Sequence, residues 1–521
     1  MVKCILRGAR SVRICRVICP LIVVMVATVF PRIMVIGGPP ASDEGVYAYI
    51  AQIVHSNLAA GHGLPNTGWL ALYSLLGSWV FGLSANHFIL LRLMDLLVAA
   101  VASWLIYRIV EHESGSPISA VLISTVFLFT MNQPVFIQCG FKNSIFAAYL
   151  PLFFAFRLGQ EAIIDSRTQW GMIGALVVFS VLLRETFIPF LIIGTIAIFV
   201  TYGWRSCMKF TFGAILAGLF IIIVIAVLRG GLLSIINAYR DAGVFFASVA
   251  DTVVSHFITH GKIFAKEAII ALLMCGVGLA SIFYGFMMNS NTVTVRRFIF
   301  WLAIALLPLI EPAIKRGFEY HFAVCLPGMA GLTALGWKSL RCAERTKIAI
   351  TVTGMMLCMV FLFPKALALA HQRSASRVAL RFMQTGFWPP EAIARSNYLL
   401  TAEAIRKIAP ATATLSVSRM MLVLFPLTGM RSPTFETCSL NSVLYKVGSD
   451  EQKFKQALLA SSPDVLATTT ATDWPGEDII TKVVMDTGLY EAVAVIPKAP
   501  DKSYGFLGIT VYRKINLIKV R

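Results

Sequence analysis

Long apolar runs recur along the first two thirds of this chain, separated by short polar stretches. A single run buried in lipid can close its backbone hydrogen bonds only by forming a helix. The first run, about 17–36, has the roughly 20 residues a bilayer crossing needs. Further runs lie near 87–107, 118–133, 145–158, 170–183, 185–203, 210–228, 267–288, 298–313, 322–337 and 348–366, about 11 in all. Of the 521 residues, 57% are hydrophobic and only 14% are charged, which no soluble core requires. The expected fold is an α-helical polytopic membrane protein. The first run is longer than a signal-peptide core and lacks a clear small-residue cleavage site, so it is expected to stay as an anchor.

Charge placement sets the expected topology. Lys3, Arg7, Arg10, Arg13 and Arg16 precede the first run, whereas the loop 37–68 has neither Lys nor Arg, in a chain of formal net charge +19. By the positive-inside rule the N-terminus is cytoplasmic and this loop is outside. The later basic clusters then fall inside: Arg108; Arg157 and Arg167; Arg205 and Lys209; Arg296 and Arg297; Lys338, Arg341, Arg345 and Lys347. The alternation holds only when the short apolar segment 69–82 does not cross, so that segment is expected to be an interfacial or re-entrant helix. Because the basic residues sit in short clusters between apolar runs, they carry topology and give no continuous nucleic-acid-binding face. Of the ten cysteines, only Cys438 and Cys139 are expected on the oxidising side, which implies no disulfide framework.

Odd parity places the less apolar tail, 367–521, outside as an α/β domain, with 1–366 as the membrane domain. The tail's expected elements are helices near Tyr398–Ile408 and Glu451–Leu459 and strands near Thr414–Val417, Asp464–Ala467 and Gly508–Tyr512. In the membrane domain the two expected outer loops of note are 37–86, with a surface helix from Asp43 to about Ala60, and 229–266.

Span interiors are nearly free of charge, which argues against an ion-coupled transporter. Charges gather instead at the outer ends. Asp43 and Glu44 open the first outer loop, and acids are favoured at a helix start. Arg92 and Asp95, three residues apart, could pair on one helix face. Lys142 and Asn143 occupy one outer turn, Arg184 a second, very tight one. Arg229, Arg240, Lys262 and Lys266 lie in 229–266, and Glu311, Lys315, Arg316, Glu319 and His321 crowd the end of the ninth span. Cations at head-group depth suit a lipid phosphate; as single residues they also suit ordinary interfacial flanks. His256 and His260, four apart, would share a helix face and could hold two positions of a metal site; no third ligand is evident, with His55, His62 and Glu44 as outer-side candidates.

The stretch Asp43-Glu44-Gly45-Val46-Tyr47, the segment Trp69–Val80 ending in Phe81-Gly82, and Arg92-Leu93 opening the second span resemble the GT-C class of integral-membrane glycosyltransferases. The likeness is in particular to the bacterial aminoarabinose transferases and protein O-mannosyltransferases. Arg184 matches a basic residue in a later turn, and Lys315-Arg316 with Tyr320, His321 and Pro327 loosely matches a basic-aromatic cluster before a proline. The stretch 63–68 lacks the basic residue and double proline that many members carry there.

The resemblance implies a sugar donor on a polyprenyl phosphate, a glycan, lipid or protein acceptor outside the cytoplasm, and membrane lipids as neighbours. It implies a bacterial inner-membrane location and no nucleic acid. Asp43 is then the base, and Glu44 orients the acceptor or binds a cation. Tyr47, Arg92, Lys142, Asn143, Arg184, Lys315, Arg316, Tyr320 and His321 hold the substrate. Direct displacement implies inversion at the anomeric carbon. No cofactor is certain, and a divalent cation stays open. The rival readings are an O-antigen ligase or polymerase-type enzyme, and a polytopic transporter or flippase.

Overall fold

Arg92 and Glu113 lie near opposite ends of one helix, His87–Ser114, about 21 residues or 30 Å apart at 1.5 Å per residue, the thickness of a bilayer's hydrocarbon core. The computed structural model describes residues 18–40, 42–60, 70–81, 87–137, 145–161, 167–228, 231–233, 235–236, 253–288, 292–314, 318–339, 353, 360, 388, 390–394, 396–418, 421–433, 439–469, 476–498 and 508–515.

Among these residues, Phe88–Ser114, Trp204–Leu228 and Ile269–Met287 are long and apolar enough to cross a membrane. Ile18–Met34, Pro117–Met131, Gln169–Leu183 and Ile188–Tyr202 are shorter apolar helices. The expected count of about 11 spans is therefore not confirmed among the described residues. One reason is local: the run 298–313 is interrupted, with the helix Thr292–Leu306 giving way to a 3-10 turn at Leu307–Leu309 and a short helix Ile310–Ile314. Pro308 and Pro312 supply no amide donor there, which breaks the helical ladder. The eleventh run, 348–366, lies almost wholly outside the described residues. The segment 69–82 contains a helix of 12 residues, Leu70–Phe81, about 18 Å long and too short to cross.

The end of the bundle around Glu113 collects basic loops. Gln160 donates to Glu113 at 3.0 Å, Arg297 reaches Glu113 at 3.8 Å, and Arg108 pairs with Glu111 at 2.6 Å. Gln169 donates to the Leu158 carbonyl at 2.9 Å, which brings the start of the helix Arg167–Leu183 to the same end. Chain direction then carries Arg184, just past the finish of that helix, to the opposite end, with Arg92.

Some helix pairs pack backbone to backbone. A Cβ on Gly213 would lie 2.1 Å from the Gly171 carbonyl oxygen, and one on Gly174 would lie 2.0 Å from that of Phe210. Gly278 and Gly336 meet in the same way. Lipid tails are as apolar as leucine, so helices in a membrane associate through close packing, and small residues permit it.

Past the membrane helices the chain builds a four-stranded sheet in the order β1-β2-β4-β3. Strands β1 (Leu415–Val417) and β2 (Val465–Thr469) run parallel, joined by a crossover that includes the helices Leu440–Lys446 and Glu451–Ser461. Strand β4 (Ile509–Lys514) is antiparallel to both β2 and β3 (Tyr490–Ile496). The helix Asn397–Ile408 begins at a Ser396 cap. Five expected tail elements are present; β3 and the helices Pro390–Ile393, Leu424–Thr428, Leu440–Lys446 and Glu477–Asp486 were not expected.

A bulky residue at Gly213 should split the Arg167–Leu183 and Trp204–Leu228 pair. Gly213→Leu is expected to cost about 1–3 kcal/mol or more. Gly276→Ala, which meets nothing within 4 Å, should be neutral or slightly stabilising. Thermal unfolding in detergent measures both, and equal effects at the two sites would contradict the packing.

Candidate active site

The acidic motif stands at the start of the helix Ser42–Ala59, with Asp43 and Glu44 in its first turn. This helix was expected on a surface, but Ala48, Tyr49, Ile50, Ala51 and Val54 are buried. The Leu70–Phe81 helix packs along it. The Glu44 carboxylate is fully buried and faces Arg92 of the neighbouring long helix. Two parallel bonds join them, Arg92 Nε to Oε1 at 2.6 Å and Nη2 to Oε2 at 2.7 Å. Arg92 Nη1 also donates to the carbonyls of Ile36 at 2.5 Å and Gly38 at 2.8 Å. A guanidinium thus closes two loop carbonyls and one carboxylate at once, which its rigid fork permits and an ammonium could not match.

Asp95 does not pair with Arg92. Its partner is Arg32, near the end of the first helix, and Tyr73 donates to its other oxygen at 2.7 Å. Arg32 Nε donates to Asn132 Oδ1 at 2.6 Å, and the guanidinium lies 5.0 Å from the Phe146 ring centre. Asn132 in turn donates to Thr28, and Thr28 bonds Ser103 at 2.7 Å. The Arg92–Asp95 pair fails because each side chain has a better-placed partner on another helix. Two cross-helix pairs replace one within a helix. Arg32, Tyr73 and Asn132 were missed in the sequence; the available signal was an arginine alone inside an apolar run.

Arg184 is buried, donates from Nε to Thr186 at 2.9 Å, and lies 4.0 Å from Glu311. Nearby, His260 bonds Glu319 at 2.7 Å and stacks on His256 with ring centres 5.2 Å apart. Both histidines lie on the helix Val253–Glu267. Tyr320 is buried against Phe318, and His321 Nδ1 accepts from the Phe318 amide at 2.9 Å. Among the described residues no group of three or more His, Cys, Asp or Glu is placed to hold a metal.

The acidic end therefore carries two clusters. One is built on Glu44, Arg92, Arg32 and Asp95; the other on Arg184, Glu311, His260 and Glu319. Contacts between them run through Asn132, the adjoining turn Pro134–Ile137, and Phe136 against Phe264. Tyr47 is half-buried against the core. Lys142, Asn143, Lys315 and Arg316, like Cys139 and Cys438, lie outside the described residues.

No family model matches the chain, and no curated protein matches it in sequence. The fold is similar to the crystal structure of ArnT from Cupriavidus metallidurans bound to undecaprenyl phosphate, at TM-score 0.55 and 10% identity. That likeness covers 98% of this chain and 99% of that one. The arabinosyltransferase EmbB from Mycobacterium smegmatis is more remote, at TM-score 0.42 and 13% identity over 92% of this chain and 45% of that one, too distant to argue from. The fold that the resemblance implies is thus met in this likeness.

Removing one partner of a buried pair leaves the other charge uncompensated. Asp95→Asn should destabilise the protein by about 3–5 kcal/mol. Tyr73→Phe, which deletes one hydrogen bond to that carboxylate, should cost about 1.5–3 kcal/mol. Thermal unfolding of the purified variants gives the order; an Asp95→Asn effect no larger than that of Tyr73→Phe would contradict the pairing.

Proposed function

We propose that this protein is a GT-C-type membrane glycosyltransferase that moves a sugar from a polyprenyl-phosphate donor to an acceptor outside the cytoplasm. The observation that carries this reading is the buried Glu44–Arg92 clamp, which fixes the motif helix at the end of the bundle where Arg184 also lies. The fold likeness to a protein crystallised with undecaprenyl phosphate, end to end along both chains, supports it. The positive-inside argument supports a bacterial inner-membrane protein with the acidic end and the domain 367–521 on the outer side and 1–366 in the membrane.

In this reading Asp43 takes the proton from the acceptor hydroxyl as its oxygen bonds to the anomeric carbon. The bond from that carbon to the lipid phosphate breaks on the opposite side, so the configuration inverts and polyprenyl phosphate departs. The pairing of Glu44 with Arg92 supports giving the base's role to Asp43 and a positioning role to the pair. Arg184 stabilises the departing phosphate, since a buried guanidinium in a site screened from water acts far more strongly than in water. Tyr47, Tyr320 and His321 line the substrate's approach. Lys142, Asn143, Lys315 and Arg316 supply further contacts. The acceptor is a cell-surface glycan, of lipid A or O-antigen type.

Transfer from a defined lipid-linked sugar by purified protein, with polyprenyl phosphate release as the second readout, tests this. Asp43→Asn should lower turnover about 100-fold or more while donor binding persists. Arg184→Ala should cost about 2–4 kcal/mol of transition-state stabilisation, with Arg184→Lys recovering part. Asp43→Asn turning over like the parent would remove it as the base, and solute transport without phosphate release would remove the enzyme reading altogether.

A further inference from the structure

The domain beyond the membrane helices sits directly on the acidic motif. A Cβ on Gly45 would lie 2.1 Å from the Val423 Cβ and 2.3 Å from its Cα, so the motif's third residue must be glycine for the two backbones to meet. One turn further along, Tyr49 stacks on Phe425 with ring centres 4.0 Å apart and planes within 10°. Both rings are fully buried. Trp388 reaches the same loop from the same side. It donates to the Gly38 carbonyl at 3.4 Å and meets Phe88 edge to face at 5.5 Å. Ile36, Gly38 and Glu44 are therefore held by Arg92 from within the bundle, and Gly38, Gly45 and Tyr49 by Trp388, Val423 and Phe425 from the domain.

The domain's side of this contact is itself braced. Ser418, just past β1, donates to Glu477 at 2.7 Å, and Asn441 donates to the other oxygen of that carboxylate at 2.9 Å. Burial pushes the Glu477 carboxyl up, while hydrogen bonds from Asn441, Ser418 and Thr469 pull it back down. The Met421 amide bonds the Ser418 carbonyl at 2.9 Å, so the turn into Val423 is closed. Arg406 donates to the Leu427 carbonyl and ties the following short helix, Leu424–Thr428, to the helix Asn397–Ile408. A buried polar network in full hydrogen-bond balance rigidifies what it holds.

We infer that Val423 and Phe425 are positioning residues for the Asp43–Glu44 helix, so that the domain beyond the membrane helices sets the geometry of the site as well as covering it. This rests on the function proposed above. Misplacing a reacting group by about 1 Å can cost on the order of 100-fold in rate, so a displaced helix is felt in turnover before binding.

The test compares full-length Phe425→Ala and Phe425→Leu with the parent, in two readouts. Amide hydrogen exchange reports local opening independently of any reaction. Exchange over Ser42–Ala59 should rise roughly fivefold or more in Phe425→Ala, while Glu451–Ser461 exchanges as in the parent. In transfer assays kcat should fall about tenfold or more with the donor KM within about twofold, and Phe425→Leu, which refills most of the volume, should recover most of the loss. Exchange over Ser42–Ala59 unchanged in both variants, or raised equally throughout the chain, would overturn the inference. So would parent-like kcat in folded Phe425→Ala. A parent that transfers no sugar would instead refute the proposed function, and the exchange result would still decide the positioning.

Discussion

The Glu44–Arg92 pair is the interaction on which the rest of the acidic end depends. Two opposite charges have been removed from water there, a step that costs several kcal/mol per ion and is repaid only by near-ideal geometry. That geometry is present: two bonds of 2.6 and 2.7 Å to the carboxylate and two more to the carbonyls of Ile36 and Gly38. Such a pair adds little net stability compared with an apolar pair of the same size. What it supplies is register, because the forked bonds tie Glu44 of the Ser42–Ala59 helix to one position on the long span. The Arg32–Asp95 pair does the same for the first helix, so the motif helix and the helix before it are both indexed against one long span.

This arrangement bears on what the end can do. The carboxylate of Glu44 is held by the Arg92 guanidinium through two bonds. Arg184, near Glu311 and bonded to Thr186, sits in the second cluster, at a helix turn with little freedom. The motif helix and Arg184 thus stand on separate, packed supports at one end of the bundle.

Much of the fold was legible in the sequence for simple reasons. Apolar length marked the helices, and the basic clusters marked one end of the bundle, where Arg108, Gln160, Gln169 and Arg297 do meet. The segment 69–82 was recognised as too short to cross. Partner choice was not legible. Residues three apart on a helix look like a pair, yet Arg92 and Asp95 are both drawn to other helices, because buried charges take the partner with the best geometry. Arg32 was hidden in an apolar run, and its meaning depended on Asp95, 63 positions away. The grip of Val423 on Gly45 was equally invisible, since a glycine in a motif does not say what approaches it. Strand β3 escaped notice through its irregular pairing, a register shift between Ala492 and Ala494.

The central claim is that Glu44 and Arg92 act as one unit that holds the motif helix. A double-mutant cycle with Glu44→Gln, Arg92→Met and the combined variant, followed by thermal unfolding of purified protein, tests it most directly. Each single change should destabilise by about 3–5 kcal/mol, and the double should cost far less than their sum, with a coupling of at least about 1.5 kcal/mol. Effects that add to within about 0.5 kcal/mol would contradict the account.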